Sequence, residues 1–274
     1  MKTVKAVYFS ATGTTGKVVR RIASLLAQKM ELAYEEMDFT LPAARLHPLS
    51  FAQGDVVVLG TPVYAGRVPN VLLKYLETMQ GKLSCGVPVV VYGNRAYDDA
   101  LIELRDLMEK AGIRTVGAAA FVGEHSFSRV LAAHRPDGQD MEKADAFAAQ
   151  MARKMAFFAT EGLPEAPIEV KGLPFPYRGY YQPRDRNGES VDIRKVKPLV
   201  NERCTGCKRC VEICPMGSIV GRNVREYSGI CIKCGACIKN CPENARYYED
   251  AGYLYHRHEL EEVYTRRAEP ECFL

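Results

Sequence analysis

The sequence has no tryptophan, so any site that needs an aromatic face must draw on tyrosine and phenylalanine. It has no apolar run approaching the roughly 20 residues that a bilayer crossing requires. With 47% hydrophobic residues it reads as a globular chain. The opening Met1-Lys2-Thr3-Val4-Lys5-Ala6-Val7-Tyr8-Phe9 lacks a signal-peptide core, which predicts a cytoplasmic location and argues against disulfides. Two nucleotide-binding loops are missing as well. A Walker A loop needs glycine where Ala11 stands and serine or threonine where Val18 stands, and a Rossmann fingerprint finds only Gly13 and Gly16 of its glycines.

Cysteine, by contrast, is present ten times. Eight of the ten fall in two copies of C-x2-C-x2-C-x3-C-P: Cys204, Cys207, Cys210, Cys214 with Pro215, and Cys231, Cys234, Cys237, Cys241 with Pro242. Three thiolates at such gaps can each reach a different iron of one cubane, and in paired runs the fourth iron takes the last cysteine of the other copy. The spacing predicts two [4Fe-4S] clusters with crossed ligands: cluster I on Cys204, Cys207, Cys210 and Cys241, cluster II on Cys231, Cys234, Cys237 and Cys214. Zinc competes, but its structural sites set short cysteine pairs far apart, without a third cysteine at the same step or a terminal Cys-Pro. Clusters held wholly within each run are disfavoured by the longer last step and the proline. Residues 200–248 resemble bacterial two-cluster ferredoxins.

The formal charge of +4 counts every cysteine as neutral. A thiolate-held cubane carries about −2 when oxidised, so two would cancel the excess and the balance does not indicate nucleic-acid binding. Lys208, Arg209, Arg222, Arg225, Lys233, Lys239 and Arg246 are interspersed with the cysteines, either tuning the clusters toward the reduced state or forming a solvated basic surface.

The chain is longer than the cluster module needs. Candidate strands at Val4–Phe9, Ala33–Phe39, Asp55–Gly60, Val87–Gly93 and Thr115–Val122 alternate with candidate helices at Thr15–Gln28, Asn70–Met79, Asp98–Ala111 and Asp140–Ala159. This predicts an α/β fold with a doubly wound five-stranded parallel sheet, whose ligands bind outside the carboxyl ends of the strands. The first loop there, Ser10-Ala11-Thr12-Gly13-Thr14-Thr15-Gly16-Lys17, offers hydroxyls, a glycine and the free amides of a helix start. Those parts suit a phosphate, and a plain capping turn is the alternative. The loops after strands three and four carry Thr61-Pro62-Val63-Tyr64-Ala65-Gly66-Arg67 and Gly93-Asn94-Arg95-Ala96-Tyr97-Asp98. A histidine, His125, lies in the loop after strand five.

The first loop resembles the flavodoxin phosphate loop, residues 1–160 resemble the flavodoxin family, and nearly the whole chain resembles the flavodoxin-ferredoxin fusions called EFR1-type ferredoxins. The resemblance implies FMN. Its phosphate would lie on Ser10, Thr12, Gly13, Thr14 and Thr15. Its ring would lie between Thr61, Pro62, Val63, Tyr64, Ala65 and Gly66 on one side and Gly93, Asn94, Arg95, Tyr97 and Asp98 on the other, with Tyr64 or Tyr97 stacked on it. The absent tryptophan, and Arg67 where flavodoxins often carry an acid, depart from the family pattern. The expected domains are a flavodoxin-like FMN-binding domain at 1–160, a Pro-rich linker at 161–198, a two-cluster ferredoxin domain, small and α+β, at 199–250, and a C-terminal helix and tail at 251–274. The aromatic run Phe175-Pro176-Tyr177-Arg178-Gly179-Tyr180-Tyr181 is expected to pack on a domain surface. Cys85 and Cys272 are left over, and His258–Arg267 reads as a charged, solvated helix.

Flavin exchanges electrons in pairs or singly, whereas a cubane passes one at a time. The leading expectation is electron transfer between FMN, the two clusters and an external redox protein in a low-oxygen metabolism. Two alternatives stand beside it: a flavin-dependent reductase of a small substrate that uses His125 or Tyr97 for protonation, and a ferredoxin or redox sensor whose flavodoxin-like half is an empty docking module.

Overall fold

Apolar β-branched runs in the first half bury both faces of their strands, which requires helices above and below. The computed structural model, which describes residues 1–274, provides them. The strands are β1 (Thr3–Tyr8), β2 (Ala33–Asp38), β3 (Val56–Pro62), β4 (Ser84–Tyr92), β5 (Ile113–Thr115) and β6 (Ala118–Val122). They alternate with α1 (Thr14–Met30), α2 (Asn70–Leu76), α3 (Ala100–Lys110) and α4 (Gly138–Glu161). All pair in parallel in the order β2-β1-β3-β4-β6, with β5 beside the start of β4. That is the flavodoxin-like doubly wound sheet, its fifth strand divided in two.

Helix α1 repeats Val18, Val19, Ile22, Ala23 and Leu26 at helical spacing and packs them, with α4, against one face of the sheet. Helices α2 and α3 cover the other face through Leu72, Leu76, Leu101 and Leu104. β4 begins three residues earlier than expected, so Cys85 lies within it, where burial pushes its thiol up to about 12.

Residues 162–198 form no helix or named strand and run as a strap along α3. The fully buried carboxylate of Asp99 accepts the amides of Leu173 and Arg178 at 2.9 and 2.7 Å and the Arg178 guanidinium at 2.8 Å. Tyr177 donates to Asp106 at 2.7 Å and Tyr180 to the Val68 carbonyl at 2.9 Å. Arg67 stands between those two rings, 4.7 and 5.0 Å from their centroids, and is paired with Glu103. This cation, which departs from the flavodoxin pattern, clamps the strap to α3.

The cysteine-rich module contains the pair β7 (Leu199–Val200) and β8 (Arg246–Tyr247) and the single-turn helices α5 (Arg209–Glu212) and α6 (Ala236–Lys239). Helix α7 (Ala251–Val263) follows. It starts and ends earlier than the expected charged helix and is not a solvated cap, because Tyr253, His256 and Leu260 are buried. The tail then returns to the first domain, where β9 (Glu271–Phe273) pairs antiparallel with β6 and Cys272 lies opposite Ala119. No helix is long and apolar enough to cross a membrane.

Candidate functional site

The carboxyl ends of β1, β3, β4 and β6 deliver their loops to one edge of the sheet. In the first loop Ser10 Oγ accepts the Gly16 amide at 2.9 Å. The amides of Thr12, Thr14 and Thr15 find no acceptor in the protein. Free amides at the start of a 17-residue helix, beside threonine hydroxyls, are the donor set that a phosphate requires. Lys17 does not join them, since its ammonium donates to the Pro136 carbonyl at 2.7 Å.

Thr12, Thr14, Thr15, Pro62, Val63, Tyr64 and Gly93 meet around a cavity of about 50 Å³. Val63, Tyr64, Ala65 and Arg95 line a larger one of about 540 Å³, and Tyr64 and His125 belong to both. The larger chamber falls within the range of about 300–1,000 Å³ usual for small-molecule and cofactor sites. A phosphate-bearing ring cofactor therefore fits the residues present.

Other expected ring-binding residues are engaged elsewhere. The Asn94 amide donates to the Tyr264 and Arg266 carbonyls at 2.7 Å each and accepts the Ala268 amide at 3.1 Å, which makes it the anchor of the returning tail. Tyr97 is buried, packs against Tyr92 with centroids 5.4 Å apart and donates to Glu271 at 2.9 Å. Tyr97 lines neither cavity, whereas Tyr64, the other candidate for stacking, lines both. Asp98 pairs with Arg95 and abuts Gly66, and Thr61 is buried with its hydroxyl unpartnered. Sequence reasoning could not foresee these engagements, because the partners of Asn94 and Tyr97 lie about 170 residues away.

His125 enters the site from the β6 loop. Its Nδ1 accepts the Phe127 amide at 3.1 Å, which leaves the proton of the neutral ring on Nε2. Burial, then the charges of Lys239, His256 and Arg95, push its pKa down to about 3. At neutral pH it is a hydrogen-bond donor without charge, not a protonated acid. The unfolded chain binds this proton near pH 6.5, so the stability contributed by the neutral ring is complete above that value and is lost as pH falls toward 3. His125→Asn is expected to flatten this acid limb. Denaturation midpoints at pH 7 and pH 5 should lie closer together in the variant than in the unmodified protein.

Gly93 holds His125 in place. A Cβ there would stand 2.3 Å from His125 Cδ2 and 3.0 Å from its Cα. Gly93→Val is therefore expected to displace the histidine loop and weaken flavin retention at least about tenfold, the consequence of roughly 1.4 kcal/mol of lost fit, as read by fluorescence titration of the flavin-free protein.

The cysteines gather in two sets of four, each drawing its last member from the other run. Cys204, Cys207, Cys210 and Cys241 line one cavity, and Cys214, Cys231, Cys234 and Cys237 line another. Each set of four soft donors surrounds a space rather than a single point, which fits a cubane. The amides of Ser218 and Ala245 approach the sulfurs of the two crossing cysteines, Cys214 and Cys241, at 3.4 and 3.3 Å. Such contacts stabilise added negative charge on a cluster. Among the expected cations, Lys208, Arg209 and Arg246 border the first set, and Lys233 the second. Lys239 turns away from both, binding Glu124 and the carbonyls of His125 and Ser128 at 2.7 and 3.0 Å.

That lysine is part of the join between the domains. Gly235 sits so close to the β6 loop that a Cβ would approach the Ser126 carbonyl to 2.5 Å. Arg129 reaches the Ile238 carbonyl at 3.2 Å. As a result Cys234 enters the small cavity beside the phosphate loop, and Cys231 enters the large one. The set of Cys231 thus faces the sheet edge, while Cys207 of the other set is exposed.

Comparison with known proteins agrees with both halves. Residues 6–136 match the family model described as a flavodoxin domain, and residues 203–246 match that of a 4Fe-4S dicluster domain. A ferredoxin 7Fe of Hydrogenibacillus schlegelii is 41% identical over 56 residues, which are 19% of this chain and 72% of the relative. A ferredoxin of Saccharopolyspora erythraea is 44% identical over 45 residues, 16% of this chain and 42% of the relative. Among solved structures, a flavodoxin of Streptococcus pneumonia TIGR4 is 20% identical with a TM-score of 0.38, covering 56% of this chain and 99% of its own. An NADH:FMN oxidoreductase in apo form is 16% identical with a TM-score of 0.41, covering 61% and 92%.

Proposed function

This chain is a flavodoxin-ferredoxin fusion, an electron-transfer iron-sulfur flavoprotein with FMN and [4Fe-4S] clusters as its cofactors, and from that premise we propose a fixed order of sites along it. The order runs from the flavin site through cluster II to cluster I and then to an external redox protein. The observation that carries it is the presence of Cys231 and Cys234 in the walls of the two cavities that also hold Tyr64, His125 and the phosphate-loop threonines. Bound there, flavin supplies the exchange between paired and single electrons.

The chain's own residues do the positioning. Thr12, Thr14 and Thr15 would hold the phosphate by amide and hydroxyl donation. Tyr64 forms the wall between the two chambers, and burial, then Cys234 and Cys231 nearby, push its phenol well above the usual range, so it stays protonated. His125 presents a neutral Nε2–H. Lys239 and Gly235 keep the cluster II side against the sheet edge, and Arg246, buried beside the cluster I cysteines, donates at 2.8 Å to the hydroxyl of Tyr227, which lines the cluster II cavity.

Anaerobic purification with flavin, iron and sulfide assays tests the reading. Four cysteines per site give every iron its thiolate, so about eight irons are expected with one FMN. Two zinc ions and no chromophore would overturn it. The 540 Å³ chamber also favours a second reading, a reductase acting on a small molecule held against the ring. Turnover of hydride donors in the absence of any protein partner distinguishes that case.

A further inference from the structure

We propose that the surface around Cys207 is the docking face for an acidic one-electron carrier protein, which exchanges electrons with cluster I. This deepens the reading above and rests on it. Two observations converge. First, the cluster II end is turned toward the first domain: Cys234 is buried, Gly235 is pressed against Ser126, and Lys239 ties the module to the β6 loop, whereas none of the cluster II cysteines is exposed as Cys207 is. The strap and α7 border the large chamber as well, through Tyr181 and His256. Second, the cluster I end is open, and its rim carries unpaired cations.

Lys208 and Arg209 border the cluster I cavity next to exposed Cys207, and both are exposed. Arg222 is exposed on the turn that packs on α5, since a Cβ on Gly221 would touch Val211 at 3.9 Å. None of the three has a carboxylate within ion-pair distance, whereas the next cation, Arg225, is shared with Glu202 at 3.8 Å. Of the nearby acids, Glu226 is held by Asn223 at 2.8 Å, and Glu212 and Glu243 are free. Three unpaired cations thus stand against two unpaired carboxylates, Glu212 and Glu243, and the face around the exposed cysteine keeps a small excess of positive charge. Opposite charge on a partner steers encounter and fixes orientation, so the carrier that fits has an acidic rim around its redox centre. One electron crosses per encounter: cluster I is oxidised by one as the carrier centre is reduced by one, or the reverse, with no bond or proton changed.

The test uses the full chain, purified anaerobically, photoreduced and mixed by stopped flow with an acidic [2Fe-2S] ferredoxin as probe, and with a basic c-type cytochrome as counter-probe. Two double variants are compared, R209E/R222E on the proposed face and K29E/R153E on exposed positions of the first domain. Both change net charge equally. The expected result is a rate with the acidic probe that falls about tenfold from low to high salt and is about tenfold slower in R209E/R222E, with K29E/R153E unaffected. The basic probe should respond in the opposite sense. Binding of the acidic probe at low salt, measured by calorimetry, should weaken in the same variant alone. Equal slowing in both variants, or none in either, overturns the proposal. Iron, sulfide and flavin are assayed on every sample: clusters missing from the unmodified chain overturn the underlying electron-transfer reading, whereas intact clusters with patch-independent rates overturn only the docking face.

Discussion

Cys241→Ala is expected to remove cluster I and spare cluster II, although Cys241 belongs to the second cysteine run. The reason lies in the cavities: Cys241 joins Cys204, Cys207 and Cys210, while Cys231, Cys234 and Cys237 receive Cys214. An iron without its fourth thiolate is open to solvent and loss, so about half of the iron should go. Cys214→Ala should give the complementary loss. The order of sites adds a kinetic signature. Without cluster I, flavin reduction and oxidation by small reagents should persist while exchange with protein carriers falls to background. Electron paramagnetic resonance of the reduced variants reads which cluster remains. Loss of the cluster on Cys231, Cys234 and Cys237 from Cys241→Ala would show that each run binds its own.

The second large effect is structural. Arg135 and Asp140 form an ion pair with 5% and 0% of their side chains exposed. Arg135 also donates to the Ala268 carbonyl at 2.5 Å, and Asp140 accepts the Asp137 amide at 2.9 Å, completing the cap of α4. Removing one partner of a buried pair leaves a charge in low dielectric, which typically costs about 3–5 kcal/mol. Asp140→Ala is expected to destabilise the chain by that amount in chemical denaturation. Because Arg135 reaches the tail, the loss should extend to β9, seen as faster amide exchange at Glu271–Phe273. A change below about 1 kcal/mol, the usual worth of a surface pair, would show that the pair is not buried in solution.

The elements legible in the sequence were those set by local pattern. Val56 to Leu59 had to be an interior strand because four apolar residues in a row leave no solvent face, and the cysteine runs named their chemistry by spacing alone. The free amides of the first loop follow from local pattern as well, since Thr12, Thr14 and Thr15 stand at a helix start. Long-range partners were not legible. Nothing near Asn94 or Tyr97 signals that residues 264–271 will occupy them, and a glycine-flanked Asn-Arg-Ala-Tyr run reads the same whether it grips a ring or a tail. Arg67 was opaque for the same reason: its neighbours in sequence are ring-loop residues, while its partners are Glu103 and the strap tyrosines. Proline content suggested a linker, yet Asp99, a single buried carboxylate, binds those residues to α3.

The antiparallel pairing of β9 on β6 also bears on biosynthesis. Ribosomes release a chain in sequence order, so the cysteine-bearing segment emerges before the strand that covers the β6 edge. Until then that edge offers unpaired backbone groups, the kind of surface that recruits other chains. The β6 edge is therefore covered only after all eight cluster cysteines have emerged. A chain cut short after the cysteine runs would carry every cluster ligand and still leave that edge open, so association through the first domain is the expected fate of such a fragment.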